Sequence, residues 1–142
     1  MTANDRDLPI GYWLKHVDET ITAHLGRVLE DEGLTRFHWQ VLNLLRTEGA
    51  TGWGELFAVM RTFVDEAGLD GILDDLAGRG WLALDPEAER AGVGLTKEGE
   101  RAHQRVSAMI AAIRRRAIDG ISRDDYLLVV RTLQRMAANL AA

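Results

Sequence analysis

One-sided apolar helices at both ends of the chain constrain its fold more than any other feature. Across residues 10–29 the apolar side chains Ile10, Trp13, Leu14, Val17, Ile21, Leu25, Val28 and Leu29 recur at steps of three and four. That is the period of an amphipathic helix. A second stripe, Ala102, Val106, Met109, Ile110 and Ile113, follows Thr96 and runs until Asp119-Gly120 interrupts it. A third, Tyr126, Val129, Val130, Leu133, Met136 and Leu140, follows the capping-box-like start Ser122 and Asp125 and is expected to face inward. The segment between, about residues 35–97, is too small to cover all three faces. Their surplus apolar surface requires a partner, and a symmetric homodimer supplies one.

The middle segment reads as three helices and a hairpin. Gly33 suits a left-handed helix end, and Thr35 suits the cap of a helix carrying Phe37, Val41, Leu42, Leu44 and Leu45 that stops at Gly49. A short helix over residues 53–60 offers Leu56, Phe57 and Met60 to the core. After the loop RTFVD, Asp65 caps a helix with Leu69, Ile72, Leu73 and Leu76 on one side. Residues 81–84 (WLAL) and 93–95 (VGL) predict two strands around the turn starter Asp85-Pro86. The expected fold is mainly α: a winged helix-turn-helix with a two-stranded wing, one domain over residues 1–142. Dimerisation helices are expected at about 8–30 and 96–142.

Composition removes several chemistries. The 142 residues contain no cysteine, so disulfides, thiolate catalysis and Cys-ligated zinc are excluded. No apolar run approaches the roughly 18–20 residues that span a bilayer. The start MTANDRDLP lacks the basic and apolar parts of a signal peptide, which predicts a cytoplasmic location and no membrane partner. His16, His24, His38 and His103 show no spacing that converges three or four ligands, so no metal site is expected. The adjacent pairs Asp18-Glu19 and Asp74-Asp75 diverge around a helix and form no acid/base dyad. With no glycine-rich phosphate loop either, neither catalysis nor a cofactor is expected.

Charge is unevenly distributed. The net charge is −5, yet residues 51–99 hold four bases against ten acids, giving −6, while residues 100–142 hold eight against four, giving +4. The helix from residue 66 to 78 and its cap carry Asp65, Glu66, Asp70, Asp74 and Asp75, with no Lys or Arg before Gly78. Asp65 and Glu66 suit the positive end of the helix dipole; the other three have no such local reason. Arg114, Arg115 and Arg116 end the long helix, where cations suit the dipole, and a solvated terminus is the expected role.

The chain resembles the MarR family of bacterial transcriptional regulators along nearly its whole length. The similar stretches are IGYWLKHVDETITAHLGRVLEDEGLTRFHWQVLNLL, LDDLAGRGWLALDPEAERAGVGLTKEGER and ISRDDYLLVVRTLQRMAANL. The middle one is the most specific: a helix closing in L-x-x-R-G, a D-P-E turn, then L-T-x-x-G opening the next helix. The resemblance implies a homodimer whose two winged lobes enter successive major grooves of a pseudo-palindromic double-stranded DNA operator, with the wings at the minor groove. It also implies a small organic effector bound between the lobe and the dimer helices.

Under that resemblance the expected DNA contacts are Arg61 and Thr62 before the recognition helix, Ala67, Gly68 and Gly71 on it, and Arg90 at the wing tip. The expected effector residues are Trp13, His16, Trp39 and His103. Two departures support an alternative. Where the family favours Thr, Ser or Arg, this recognition helix has Ala67, Gly68, Asp70 and Gly71, and the wing DPEAER keeps only Arg90 of a basic pair. The alternative is a protein of the same fold with weakened or lost DNA binding, serving as a ligand-binding or protein-interaction module.

Overall fold

The computed structural model describes residues 7–85 and 92–141. In chain order the elements are α1 (Ile10–Asp31), α2 (Arg36–Glu48), β1 (Thr51–Gly52), α3 (Trp53–Met60), α4 (Glu66–Gly78), β2 (Leu82–Asp85), β3 (Gly92–Leu95), α5 (Lys97–Ala117) and α6 (Arg123–Ala141).

Local chemistry accounts for most boundaries. At the end of α1, Gly33 adopts φ 71°, and the Leu34 amide reaches back to the Leu29 carbonyl at 2.8 Å. That closure turns the chain and buries both leucines. Thr35, Asp65 and Thr96 each accept a backbone N–H three residues on, from His38, Gly68 and Gly99 respectively. These caps fix where α2, α4 and α5 begin.

The core lies among α2, α3, α4, β3 and one face of α5. Leu42, Leu56, Met60, Leu69, Leu76 and Val106 are its largest fully buried side chains. Leu29 of α1 joins this cluster, and Leu25 and Val28 pack against it half-buried.

The sheet differs from the expected hairpin. It has three strands in the order β1-β3-β2, all antiparallel, with Thr51 opposite Val93 and Leu82 opposite Leu95. β1 is two residues long, too short for any period-2 pattern, and exists only because β3 pairs with it. Arg90, at the expected wing tip, lies outside the described residues.

α6 departs from the inward-facing placement and keeps the surplus apolar surface expected of the outer helices. Tyr126, Val129 and Leu140 are exposed, Val130, Leu133 and Met136 are only partly covered, and no residue of α6 is buried. Its apolar stripe therefore faces no core within the chain. The N-terminal half of α1 is similar, with Ile10, Leu14 and Val17 exposed.

The tightest backbone approach lies where α4, β2 and α5 meet. Gly80 turns the chain with φ 81° after α4. The Thr96 hydroxyl donates to the Gly80 carbonyl at 2.6 Å, and the Thr96 amide donates to the Trp81 carbonyl at 3.0 Å. Gly99 then lies against Trp81 so closely that a Cβ would collide with the Trp81 carbonyl oxygen. Backbone offers no rotamer to yield, so Gly99→Ala should cost at least about 2 kcal/mol. Thr96→Ala should cost about 1 kcal/mol through the lost cap. Urea unfolding measures both, and an unchanged midpoint for Gly99→Ala would contradict this packing.

Candidate nucleic-acid interface and effector cavities

α3 and α4 are joined by the turn at residues 61–65, and α4 is the expected recognition helix. Three of its five acids have partners inside the lobe. Asp65 accepts the Gly68 amide at 2.7 Å as the α4 cap. Asp70 accepts the indole N–H of Trp53 at 2.8 Å, joining α4 to the start of α3.

Asp75 lies 3.0 Å from His38 Nε2 and 3.2 Å from Arg79. His38 Nδ1 accepts the Thr35 amide N–H at 3.3 Å. The tautomer with its hydrogen on Nε2 satisfies both ends of the ring, donating to Asp75. Arg79 donates to the carbonyls of Glu32 and Gly33 at 2.8 and 2.7 Å. The C-terminal end of α4 is thereby fastened to the α1–α2 turn. Glu66 stands exposed in the first turn of α4, beside the positive dipole end. Asp74 is exposed and has no partner among the described residues.

The expected DNA contacts divide by environment. Ala67 and Gly71 are exposed one turn apart, and a Cβ on Gly71 would meet open space. Gly68 instead sits under its own cap, where a Cβ would stand 3.0 Å from the Asp65 carboxylate and 3.2 Å from Val64 Cβ. Its small size serves the start of the helix. Arg61 and Thr62 are exposed and line a concavity of about 530 Å³ with Phe63, Asp65 and Glu66. Arg114, Arg115 and Arg116 are exposed in the last turn of α5.

The four expected effector residues form two separate pairs. Trp13 and His16 meet edge to face at 6.1 Å on α1, with Tyr12 stacked on His16 at 5.6 Å. Trp39 stacks on His103 at 4.8 Å, joining α2 to α5. His103 Nε2 lies 3.0 Å from Asn43 Oδ1, so that nitrogen carries the hydrogen and donates. His103 also lines a cavity of about 420 Å³ with Arg46, Glu100, Gln104 and Ser107, which includes none of the other three. A second cavity, about 260 Å³, lies between α2 and α3 and is lined by Gln40, Asn43 and Phe63 among others.

Sequence reading missed Asn43, Arg46 and Gln40. They are ordinary polar residues on a helix, and only the placement of α3 and α5 gives them a role. Among the described residues no group of three or more His, Asp or Glu side chains could hold a metal ion, and no helix is long and apolar enough to cross a membrane.

No family model matches the sequence, and neither does any curated protein. Solved structures do match over nearly the whole chain. YusO from Bacillus subtilis superposes with a TM-score of 0.80 at 20% identity, covering 97% of this chain and 99% of its own. MepR, described as a transcription regulator of the Staphylococcus aureus multidrug efflux pump MepA, gives 0.80 at 13% identity, covering 94% and 99%. Wild-type apo MarR from E. coli gives 0.70 at 21% identity, covering 91% and 96%. The fold is thus that of a winged helix-turn-helix protein flanked by long helices. More specifically, it is the MarR-type winged-helix fold.

Burial and the nearby Arg46 guanidinium together hold the His103 imidazole below its ordinary pKa. The unfolded chain therefore binds more protons at this site than the folded one, and stability falls as pH drops below about 6.5. Between pH 7 and 5 the urea midpoint should decline, and His103→Gln should flatten that decline. An equally steep decline in the variant would contradict the assignment.

Proposed function

We propose that the protein is a homodimeric, MarR-type DNA-binding transcriptional regulator whose affinity for a pseudo-palindromic operator responds to a small organic ligand. The observation that carries this reading is the state of α4. Ala67 and Gly71 face outward and leave room for a groove, while Asp65, Asp70 and Asp75 are engaged within the lobe. Those three acids thus serve to position the helix, and the charge of Asp75 is offset by Arg79.

Arg61 and Thr62 precede that helix and are proposed as phosphate contacts, with Arg90 entering the minor groove from the wing. Gly68 contributes by keeping the first turn of α4 intact. The two aromatic–histidine pairs, Trp13 with His16 and Trp39 with His103, are proposed as effector contacts, each an aromatic face beside a polar nitrogen. A cytoplasmic location follows from this function.

Asp74 and Glu66 favour a second reading, since both stand exposed near the groove-facing side. Under it the fold has lost operator binding and serves as a ligand-binding or protein-interaction module. Titrating the protein against DNA flanking its own gene separates the two. Operator binding requires affinity that falls steeply as salt rises, because phosphate contacts release counterions. Arg61→Ala should weaken binding about threefold to tenfold and make the salt slope shallower. Asp74→Asn should strengthen it by removing a repulsive charge. No binding even at low ionic strength would support the second reading.

The dimer is proposed to bury the apolar stripes of α6 and of the N-terminal half of α1. Val129 is 56% exposed and Val17 is 51% exposed on the single chain. A charge placed in such an interface is stripped of water without a partner. Val129→Glu should therefore convert the dimer to monomer in sedimentation at micromolar concentration. Wild-type protein that sediments as a monomer would overturn the dimer outright.

A further inference from the structure

The exposed side of α4 carries no side chain that donates a hydrogen bond. It consists of Glu66, Ala67, Asp70, Gly71, Asp74 and Asp75, opposite the buried Leu69, Ile72, Leu73 and Leu76. Arg79, the cation that follows the helix, is turned inward onto the Glu32 and Gly33 carbonyls. Asp70 is committed to the Trp53 indole, and Asp75 to His38 and Arg79. Glu66 is therefore the free acceptor at the start of the helix, exposed and with no hydrogen bond or ion pair among the described residues. Beside it Ala67 offers a single methyl group.

Each base shows a different set of groups in a major groove. Guanine shows two acceptors and calls for Arg or Lys; adenine shows an acceptor beside a donor and calls for Asn or Gln. This helix offers neither pair. Cytosine shows its N4 amine, a donor, and thymine shows its C5 methyl. An acceptor and a methyl match those two groups.

We infer that α4 selects one cytosine and one thymine in each half-site, Glu66 accepting from the cytosine N4 amine and the Ala67 methyl packing on the thymine C5 methyl. The inference rests on the operator binding proposed above and names the bases that this binding selects. Glu66 and Ala67 open the helix, where recognition helices meet base edges. Asp74 lies about two turns further on and has the shorter side chain. Gly71, with open space at its Cβ position, lets the helix lie close to the groove floor. The Glu66 carboxylate also rejects the other bases, because guanine and thymine turn acceptors toward it and adenine sets N7 beside its amine. A desolvated acid lowers affinity for every sequence, and least where cytosine stands, so its cost becomes selectivity.

Selection of bound duplexes from a random library, with the full chain at low ionic strength, tests the inference. Wild-type protein should enrich a dyad-related sequence holding cytosine at one position of each half-site and thymine within a step of it. Glu66→Gln should move that preference from cytosine to adenine, which a side-chain amide pairs with twice, and leave the other positions unchanged. Replacing the selected cytosine should weaken wild-type binding about fivefold or more. Deoxyuridine in place of the thymine deletes only the methyl. It should weaken wild-type binding about threefold and leave Ala67→Gly indifferent. The same bases enriched by wild type and Glu66→Gln, or wild-type indifference to the thymine methyl, would overturn the inference while operator binding stands. A library that yields no enriched sequence would instead sink the operator reading, and this inference with it.

Discussion

The seat of Gly99 on the Trp81 carbonyl is the contact on which the winged lobe depends. Three elements with little sequence in common meet there: the end of α4, the first residue before β2 and the first turn of α5. The approach is close enough that only a residue without a side chain fits, and the Thr96 hydroxyl closes it by donating to Gly80 while accepting from Gly99. Such a junction has one geometry. Once it forms, α5 can run only in the direction that drives Ala102, Val106 and Ile110 into the core. The spacing L-T-x-x-G and the preceding R-G are the sequence record of this single packing event.

That explains why so much of the fold was legible. Thr35, Asp65 and Thr96 announce helix starts by chemistry confined to three residues, and apolar periodicity announces which face each helix buries. Both signals are local. The misreadings share the opposite property. β1 is only Thr51–Gly52, and it becomes a strand through Val93 and Gly92 far along the chain. The α6 stripe has flawless helical spacing, yet periodicity cannot say whether the apolar face meets its own core or another surface. How the expected effector residues are arranged was not legible in the sequence. Trp39 and His103 do meet, but Trp13 and His16 pair elsewhere, because ring stacking between helices depends on their crossing and not on their composition.

The acids of α4 show how misleading a count of charges is without partners. As a sum, five acids and no base look hostile to a polyanion. In place, Asp70 holds an indole separated from it by 17 residues, and Asp75 holds a histidine from α2 and an arginine from its own helix end. These are contacts that position α4 in the lobe, and removing them to improve electrostatics would loosen the element whose placement matters. Asp74 and Glu66 are the exceptions, since both stand exposed with no hydrogen bond or ion pair among the described residues. Charge and geometry are thus traded residue by residue along one helix.

Arg79 holds the C-terminal end of α4. Its guanidinium reaches two carbonyls in the α1–α2 turn, stands 5.1 Å from the Trp81 ring centroid and bonds to Asp75. The same turn is gripped from the other side by Arg105 of α5, which donates to both oxygens of Glu32 at 3.2 and 2.9 Å. Those bonds to Arg105 hold the Glu32 carboxyl below its usual range. The C-terminal end of α4 is therefore fastened to the α1–α2 turn, which Arg105 in turn ties to α5, and these charge-assisted bonds are stronger than neutral ones. The N-terminal half of α4 is held by the Asp65 cap, by Asp70 on the Trp53 indole and by the fully buried Leu69. Ala67 and Gly71 therefore face outward from a helix whose buried side and both ends are anchored.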